Sequence, residues 1–267
     1  MTDQSLDLLG VAVEAARAAA AIIRDAEPRV REIVWREKSA TDFVSDVDLA
    51  AEMRILDVVR HLVPHAAVLA EETATTLPAS RLKRGVVFVV DPLDGTTNFL
   101  HGYPEYAVSI GVLVEGALAA AVVLDVPGDE CFTATDGGGA RLDGVPIRVS
   151  STDNPQRALI GSGFPFKNTN DIAPYLLQMS RVMAGVSGVR RPGAASIDLA
   201  SVACGRFDAF WETMLAPWDV AAGILLIREA GGVVTDLSGA PAVAGHTGIV
   251  AGNPTMHGWL MQTLGSP

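Results

Sequence analysis

Five consecutive β-favouring apolar residues, Val86-Val87-Phe88-Val89-Val90, run directly into Asp91-Pro92-Leu93-Asp94-Gly95-Thr96-Thr97-Asn98-Phe99. An unbroken apolar run of this kind is the pattern of a strand covered on both faces, so the fold must supply layers above and below it. The strand cannot continue regularly through a proline flanked by two aspartates. A turn there brings Asp91 and Asp94 near one point, and Gly95 lets the backbone approach a ligand closely. If Thr96 opens a helical turn, the N–H groups of Gly95, Thr96 and Thr97 face outward and can bind phosphate. Carboxylates beside an anion-binding turn repel that anion unless cations lie between, and hard oxygen donors with phosphate suit Mg²⁺. The plainer alternative is an Asp-Gly turn with solvated caps. The strand before it and the Gly-Thr-Thr after it favour the site.

The rest of the chain reads as alternating helices and strands. Leu8, Ala12, Ala15, Ala19 and Ile22 lie on one stripe of a helix over 6–23. A second helix, over about 46–61, carries Leu49, Met53, Leu56 and Val63 as its expected apolar positions, with Ser45 as N-cap. Ala67–Ala70 reads as a short buried strand. Ala107–Val114, Ala117–Val126 and Glu130–Ala134 are separated by turn residues and predict an antiparallel meander. Helical patterns recur near 172–184, 195–204 and 218–230, and Val233-Val234-Thr235 makes a strand. The class is α+β, with an N-terminal subdomain over 1–150 holding the antiparallel sheet and a C-terminal α/β subdomain over 151–267.

Three further acidic positions matter. Glu71-Glu72 follows the short strand at Ala70, and Asp219 opens the helix after Pro217-Trp218. Taken alone, Glu71-Glu72 reads better as a solvated pair before a loop, and Asp219 reads also as a carboxylate complementing the helix dipole. Asp48 fits a capping box with Ser45. Acidic residues number 31 against 20 basic ones, a formal charge of −11, which disfavours general nucleic-acid binding. An acidic protein that handles an anion needs metal ions to attract it. Met1-Thr2-Asp3-Gln4 does not read as a signal peptide and no apolar stretch spans a membrane, so a cytoplasmic location is expected. Cys131 and Cys204 read as reduced structural thiols.

Taken together, Asp48, Glu71-Glu72, Asp91–Phe99, Trp218–Gly223 and Glu229–Gly232 resemble the inositol monophosphatase family of lithium-sensitive, Mg²⁺-dependent phosphatases. Tyr106–Gly111, Arg190-Arg191, Asp198-Leu199-Ala200 and Phe210-Trp211-Glu212 extend the match along the chain. The resemblance implies a layered αβαβα sandwich of the inositol monophosphatase and fructose-1,6-bisphosphatase type, assembled as a homodimer. It implies hydrolysis of a small phosphate monoester, foremost inositol-1-phosphate, by metal-activated water, with two or three Mg²⁺ per site. Glu71, Asp91 and the Leu93 carbonyl would hold the first ion, and Asp91, Asp94 and Asp219 the second. A third would bind weakly at Glu71, and Glu71 counts among the catalytic residues with Asp48 and Thr96. Asp48 and Thr96 match the pair that orients the attacking water, and Gly95 and Thr96 the phosphate-binding backbone. Gly193, Ala194 and Glu212 match substrate-hydroxyl contacts, and Lys38 an active-site lysine. Four carboxylates that close would repel one another, so a metal-free site should have raised pKa values.

Two departures stand out. Ala70 replaces a glycine before the Glu pair, and Gly193-Ala194-Ala195-Ser196 replaces the common Gly-Ser-Ala-Ala. The second lies beside the substrate, which leaves fructose-1,6-bisphosphate and histidinol phosphate open as alternatives. A regulatory or scaffold protein that keeps the fold is the alternative of another class. Asp46-Val47-Asp48 lacks the preceding apolar strand of a haloacid-dehalogenase phosphatase, Gly161-Ser162-Gly163 lacks a third dinucleotide-binding glycine, and the histidines show no zinc spacing.

Overall fold

Alanine decides how the first layer forms. The computed structural model describes residues 3–39, 42–165, 171–245 and 247–265, the side chains of 3–6, 37–39, 42, 43, 79 and 247 lying outside that description. Helix α1 (Asp3–Ala26) leads through a short hairpin of β1 (Arg36–Ser39) and β2 (Asp42–Val44) into α2 (Asp46–Leu62). Ala12, Ala15, Ala16 and Ala19 of α1 and Ala51 of α2 are fully buried, so the two helices pack closely. The expected stripe of α2 is half corrected. Leu56 and Val63 are buried, but Met53 is exposed and Leu49 only half-buried, while Val47, Ala51, Ile55, Val58 and Val59 form the packed face.

The next elements are β3 (Ala67–Ala70), α3 (Ala79–Leu82), β4 (Val86–Asp94), α4 (Thr96–His101), β5 (Ala107–Val114), β6 (Ala117–Asp125), β7 (Glu130–Thr135), β8 (Gly139–Leu142) and β9 (Val145–Pro146). The seven strands form one sheet in sequence order, with β3 and β4 parallel and every later pair antiparallel. Phe88 and Val90 of β4 face the layer of α1 and α2, whereas Val87 and Val89 face the opposite layer. Both sides of β4 are therefore covered, as its apolar run requires.

Beyond it lie β10 (Leu159–Ser162), α5 (Ile172–Met183), β11 (Gly188–Arg190), α6 (Ala195–Ala203), β12 (Ala209–Leu215), α7 (Pro217–Glu229), β13 (Val233–Thr235), β14 (Thr247–Gly252) and α8 (Pro254–Gly265). Five strands form a second sheet in the order β11-β10-β12-β14-β13. Helices α6 and α7 fill the space between the sheets, where Leu199, Val220 and Ile224 pack with Val123 and Phe132 on one side and Phe210 and Ile249 on the other. Helices α5 and α8 cover the outer face through Tyr175, Val182, Met256 and Leu260. The layers run αβαβα, the fold class expected above. Among the described residues no helix is long and apolar enough to cross a membrane.

The distance between α7 and the first sheet is set by Gly111. A Cβ at that position would stand 2.6 Å from the Ala221 Cβ. Gly111→Ala is expected to destabilise the protein by about 1–3 kcal/mol through overpacking. Gly10 lies on an exposed turn of α1, and a Cβ added there would meet nothing within 4 Å. It should respond oppositely, Gly10→Ala stabilising by roughly 0.5–1 kcal/mol. Urea titrations of the two variants check both signs, and a neutral Gly111→Ala would show that α7 is not held by this contact.

Candidate active site

Strand β4 does not break off at the proline as expected but runs on to Asp94, its pairing with β5 shifting register between Asp91, opposite Ser109, and Asp94, opposite Ala107. Pro92 lies inside this irregularity, where the missing N–H costs no ladder bond. Asp91 is buried, and its Oδ1 accepts from Leu93 N at 3.0 Å. Gly95 follows with φ +88°, and a Cβ there would lie 2.7 Å from the Glu105 carbonyl. Only glycine fits, and the chain then turns into α4 at Thr96.

Helix α2 reaches the same turn. The Thr96 hydroxyl donates to Asp48 Oδ1 at 2.8 Å and also lies 3.0 Å from the Leu93 carbonyl. The second Asp48 oxygen accepts from Ser45 N at 2.7 Å and from Ser45 Oγ at 2.6 Å, which completes the capping box of α2. One turn further on, the buried Glu52 accepts from Glu72 N at 2.7 Å and Thr73 N at 2.9 Å and from the Thr73 hydroxyl, and so holds the backbone just after Glu71. Glu52 escaped the sequence reading. Its signal was the i, i+4 spacing from Asp48, two acids on a face otherwise carrying Val47, Ala51 and Ile55.

The central helices close the site. Asp94 Oδ2 accepts from Ser196 N at 2.7 Å and Ser196 Oγ at 2.6 Å, at the start of α6. Asp219 Oδ2 accepts from Ala216 N at 2.7 Å in the first turn of α7. Glu71, Asp91, Leu93, Asp94, Gly95, Thr96, Thr97, Gly193, Ala194, Glu212 and Asp219 all line one cavity of about 590 Å³. Asp48 stands behind Thr96 rather than in the lining, and the Lys38 side chain lies outside the described residues. Arg191 and Asp198 line the cavity as well, and Ser196 adjoins it through Asp94. Asp198 was legible as the one charge in the helix sequence ASIDLASVA, whereas nothing in the sequence marked Ser196 as a partner of Asp94.

The electrostatics follow from burial and crowding. Asp91 is held well above the ordinary carboxylate range by burial and then by the charges of Glu71, Asp94 and Asp219. Burial pushes Asp94 up to about 6, against the two Ser196 hydrogen bonds, with Glu71 adding repulsion. Burial raises Asp48 too, while Ser45 and Thr96 oppose it. Among the described residues no three His, Cys, Asp or Glu side chains converge as a ready-made ligand shell. Asp91, Asp94 and Asp219 each give an oxygen to a backbone N–H instead. The donor set nevertheless fits a hard divalent cation, being all oxygen, anionic and mutually repulsive across one cavity.

Known proteins resemble this chain in sequence and in fold. The inositol monophosphatase family is matched over residues 5–266. Nus factor SuhB of Pseudomonas aeruginosa is 45% identical over 259 residues, covering 96% of this chain and 95% of that protein. The structure of extragenic suppressor protein suhB from Bartonella henselae superposes with a TM-score of 0.91 at 39% identity, over 97% of this chain and 98% of that one. Inositol monophosphatase from Anabaena superposes with a TM-score of 0.83 at 35% identity, over 96% and 94%.

A raised carboxylate favours the folded state only while it is protonated. The contribution of Asp94 is fully present below its unfolded value near 4 and is lost as pH rises through about 6. In EDTA the melting temperature of the wild type should therefore fall relative to Asp94→Asn between pH 4.5 and 7. Mg²⁺ should raise it most above pH 6, where the carboxylates are charged. Parallel melting curves for the two proteins across this range would contradict the assignment.

Proposed function

The chain belongs to the inositol monophosphatase family, and from that premise we propose that it is a Mg²⁺-dependent phosphatase of small phosphate monoesters, with inositol-1-phosphate the favoured substrate. The observation that carries this reading is the 2.8 Å hydrogen bond from Thr96 to Asp48, made between distant parts of the chain at the rim of the carboxylate cavity. Glu71, Asp91 and the Leu93 carbonyl would hold one Mg²⁺, and Asp91, Asp94 and Asp219 a second, with a third weakly at Glu71. When bound, the ions supply charge stabilisation for the phosphoryl oxygens and neutralise the carboxylates.

The side chains do the positioning. Ser45 pins one oxygen of Asp48, which leaves the other to take the Thr96 hydroxyl proton. The Thr96 oxygen then presents its lone pairs to a water and aims that water at phosphorus. Such placement contributes about 10²–10⁴-fold. The Gly95–Thr97 backbone receives the phosphate, and Gly193, Ala194 and Glu212 line the part of the cavity left for the alcohol. Assembly as a homodimer belongs to the same proposal and rests on family membership. Fructose-1,6-bisphosphate and histidinol phosphate suit the same phosphate site. A regulatory role on the same fold is a second reading, favoured by the name Nus factor that the Pseudomonas aeruginosa relative carries.

Phosphate release from inositol-1-phosphate, fructose-1,6-bisphosphate, histidinol phosphate and an adenosine bisphosphate, with Mg²⁺ and with excess EDTA, tests the proposal. Activity on inositol-1-phosphate should vanish in EDTA, and full hydrolysis there would sink it. Thr96→Ala and Asp48→Asn should each lower kcat with little change in Mg²⁺ affinity, and the double variant should lose little more than either. Only Asp48→Asn should also cost stability, on the order of 1 kcal/mol, because only Asp48 caps α2. A Thr96→Ala enzyme with normal kcat would remove the pair from the mechanism. Li⁺ should inhibit, and Asp219→Asn should blunt that inhibition. Equal lithium sensitivity of the two proteins would separate Asp219 from the cation site.

A further inference from the structure

Asp198 is an acidic residue of the cavity that the mechanism above does not use. It is 2% exposed, on a helix whose nine residues are all buried, yet it borders the cavity. Its Oδ1 has no hydrogen-bond partner. A buried carboxyl oxygen without a partner is costly, and native proteins keep few of them away from functional sites. The neighbouring charge that bears on it most strongly is Glu212 of β12, and Arg191 bears on it with the opposite sign. Glu212 packs against the residue that follows β10, where a Cβ on Gly163 would overlap its carboxylate. Arg191 is stacked on Phe164, with its guanidinium carbon 4.0 Å from the ring centroid. Two carboxylates from different elements thus share one wall of the cavity, and neither belongs to the proposed metal ligands.

We propose that Asp198 is a specificity-determining residue, which pairs with Glu212 to accept hydrogen bonds from two neighbouring hydroxyls of a polyol phosphate. The proposal rests on the phosphatase reading of the same cavity and names the substrate feature that the cavity selects. Hydroxyls fit this wall better than an ammonium group does. A hydroxyl both donates and accepts, so it satisfies a crowded acidic pair whatever proton that pair retains, whereas an ammonium group can only donate. An aryl phosphate offers no hydroxyl to Asp198 and leaves its Oδ1 without a partner. A site built to bond a hydroxyl discriminates strongly against a substrate that lacks one, because the protein's own buried groups are then left unpaired.

The test is a selectivity ratio, kcat/KM for myo-inositol 1-phosphate over kcat/KM for p-nitrophenyl phosphate, measured in Mg²⁺. Asp198→Asn should lower that ratio about 10- to 100-fold, mainly through KM for the inositol ester. Glu212→Gln should do the same, and the double variant should lose less than the product of the two, because the residues act on one recognition element. Since Asp198 is buried, Asp198→Asn could fail to fold, and a second measurement uses only the wild type. Among monodeoxy analogues of inositol 1-phosphate, two lacking adjacent hydroxyls should each lose roughly tenfold or more in kcat/KM. A ratio unmoved by Asp198→Asn, or a wild type indifferent to every deoxy analogue, overturns the proposal and leaves the phosphatase reading standing. A wild type that hydrolyses neither ester in Mg²⁺ overturns that reading, and this one with it.

Discussion

Mutual repulsion among the carboxylates of one cavity is the constraint around which the molecule is organised. Asp91 feels Glu71, Asp94 and Asp219 at once, from inside a buried strand end. Left to themselves, these groups would move apart or protonate. The chain holds the three aspartates through separate donors: Leu93 N for Asp91, Ser196 for Asp94 and Ala216 N for Asp219. None of these bonds overcomes the repulsion alone, since a hydrogen bond to a charged group contributes about 1.5–3 kcal/mol net. The surplus comes from the apolar clusters on both faces of the seven-stranded sheet, which lock the elements carrying the donors. Stability is made in the layers and used at their junction.

That junction is where close backbone approach matters. Helix α7 sits on Gly111 of β5 through Ala221, two residues from Asp219, and its first turn is tied to β5 by the Ser109 hydroxyl, which donates to the Trp218 carbonyl at 3.3 Å. Asn98 of α4 donates to the carbonyls of Glu105 and Pro192, stitching the β4 turn to the loop that leads into α6. Strand end, central helices and α2 therefore meet with little freedom between them. A site assembled from rigid elements holds its charged groups in place more accurately than one built on loops.

The sequence made the layers and the β4 turn legible because those features are local. An apolar run, a meander with Gly and Asp at its breaks, and Asp-Pro-Leu-Asp-Gly each state their structure within ten residues. The packing face of α2 was misread for a physical reason. Its contact with α1 is made by alanines, which carry little weight in an apolar pattern, and Asp48 and Glu52 interrupt the true face with charge. Met53 looked like core by spacing and is exposed. Ser196 was invisible for a different reason. Its meaning lies in meeting Asp94, 102 residues away, and no local rule pairs them. Long-range polar contacts between unremarkable residues are the part of a site that one sequence conceals.

Asp48 shows why reading a residue as either structural or functional can be a false choice. The sequence offers a helix cap or half of a water-orienting pair, and the two look exclusive because each claims the carboxylate. The structure gives one oxygen to each partner, Oδ2 to Ser45 of the cap and Oδ1 to Thr96, so the cap leaves room for the proposed pair. The division is more than economy. A carboxylate free to rotate would present either oxygen to Thr96 in many orientations, whereas one pinned by two short bonds presents a single lone-pair direction. The cap thus supplies the fixed geometry that the contact with Thr96 requires, and the alanine packing of α2 on α1 fixes the cap in turn. Burial then works in the same direction, because a desolvated carboxylate forms stronger hydrogen bonds than one bathed in water.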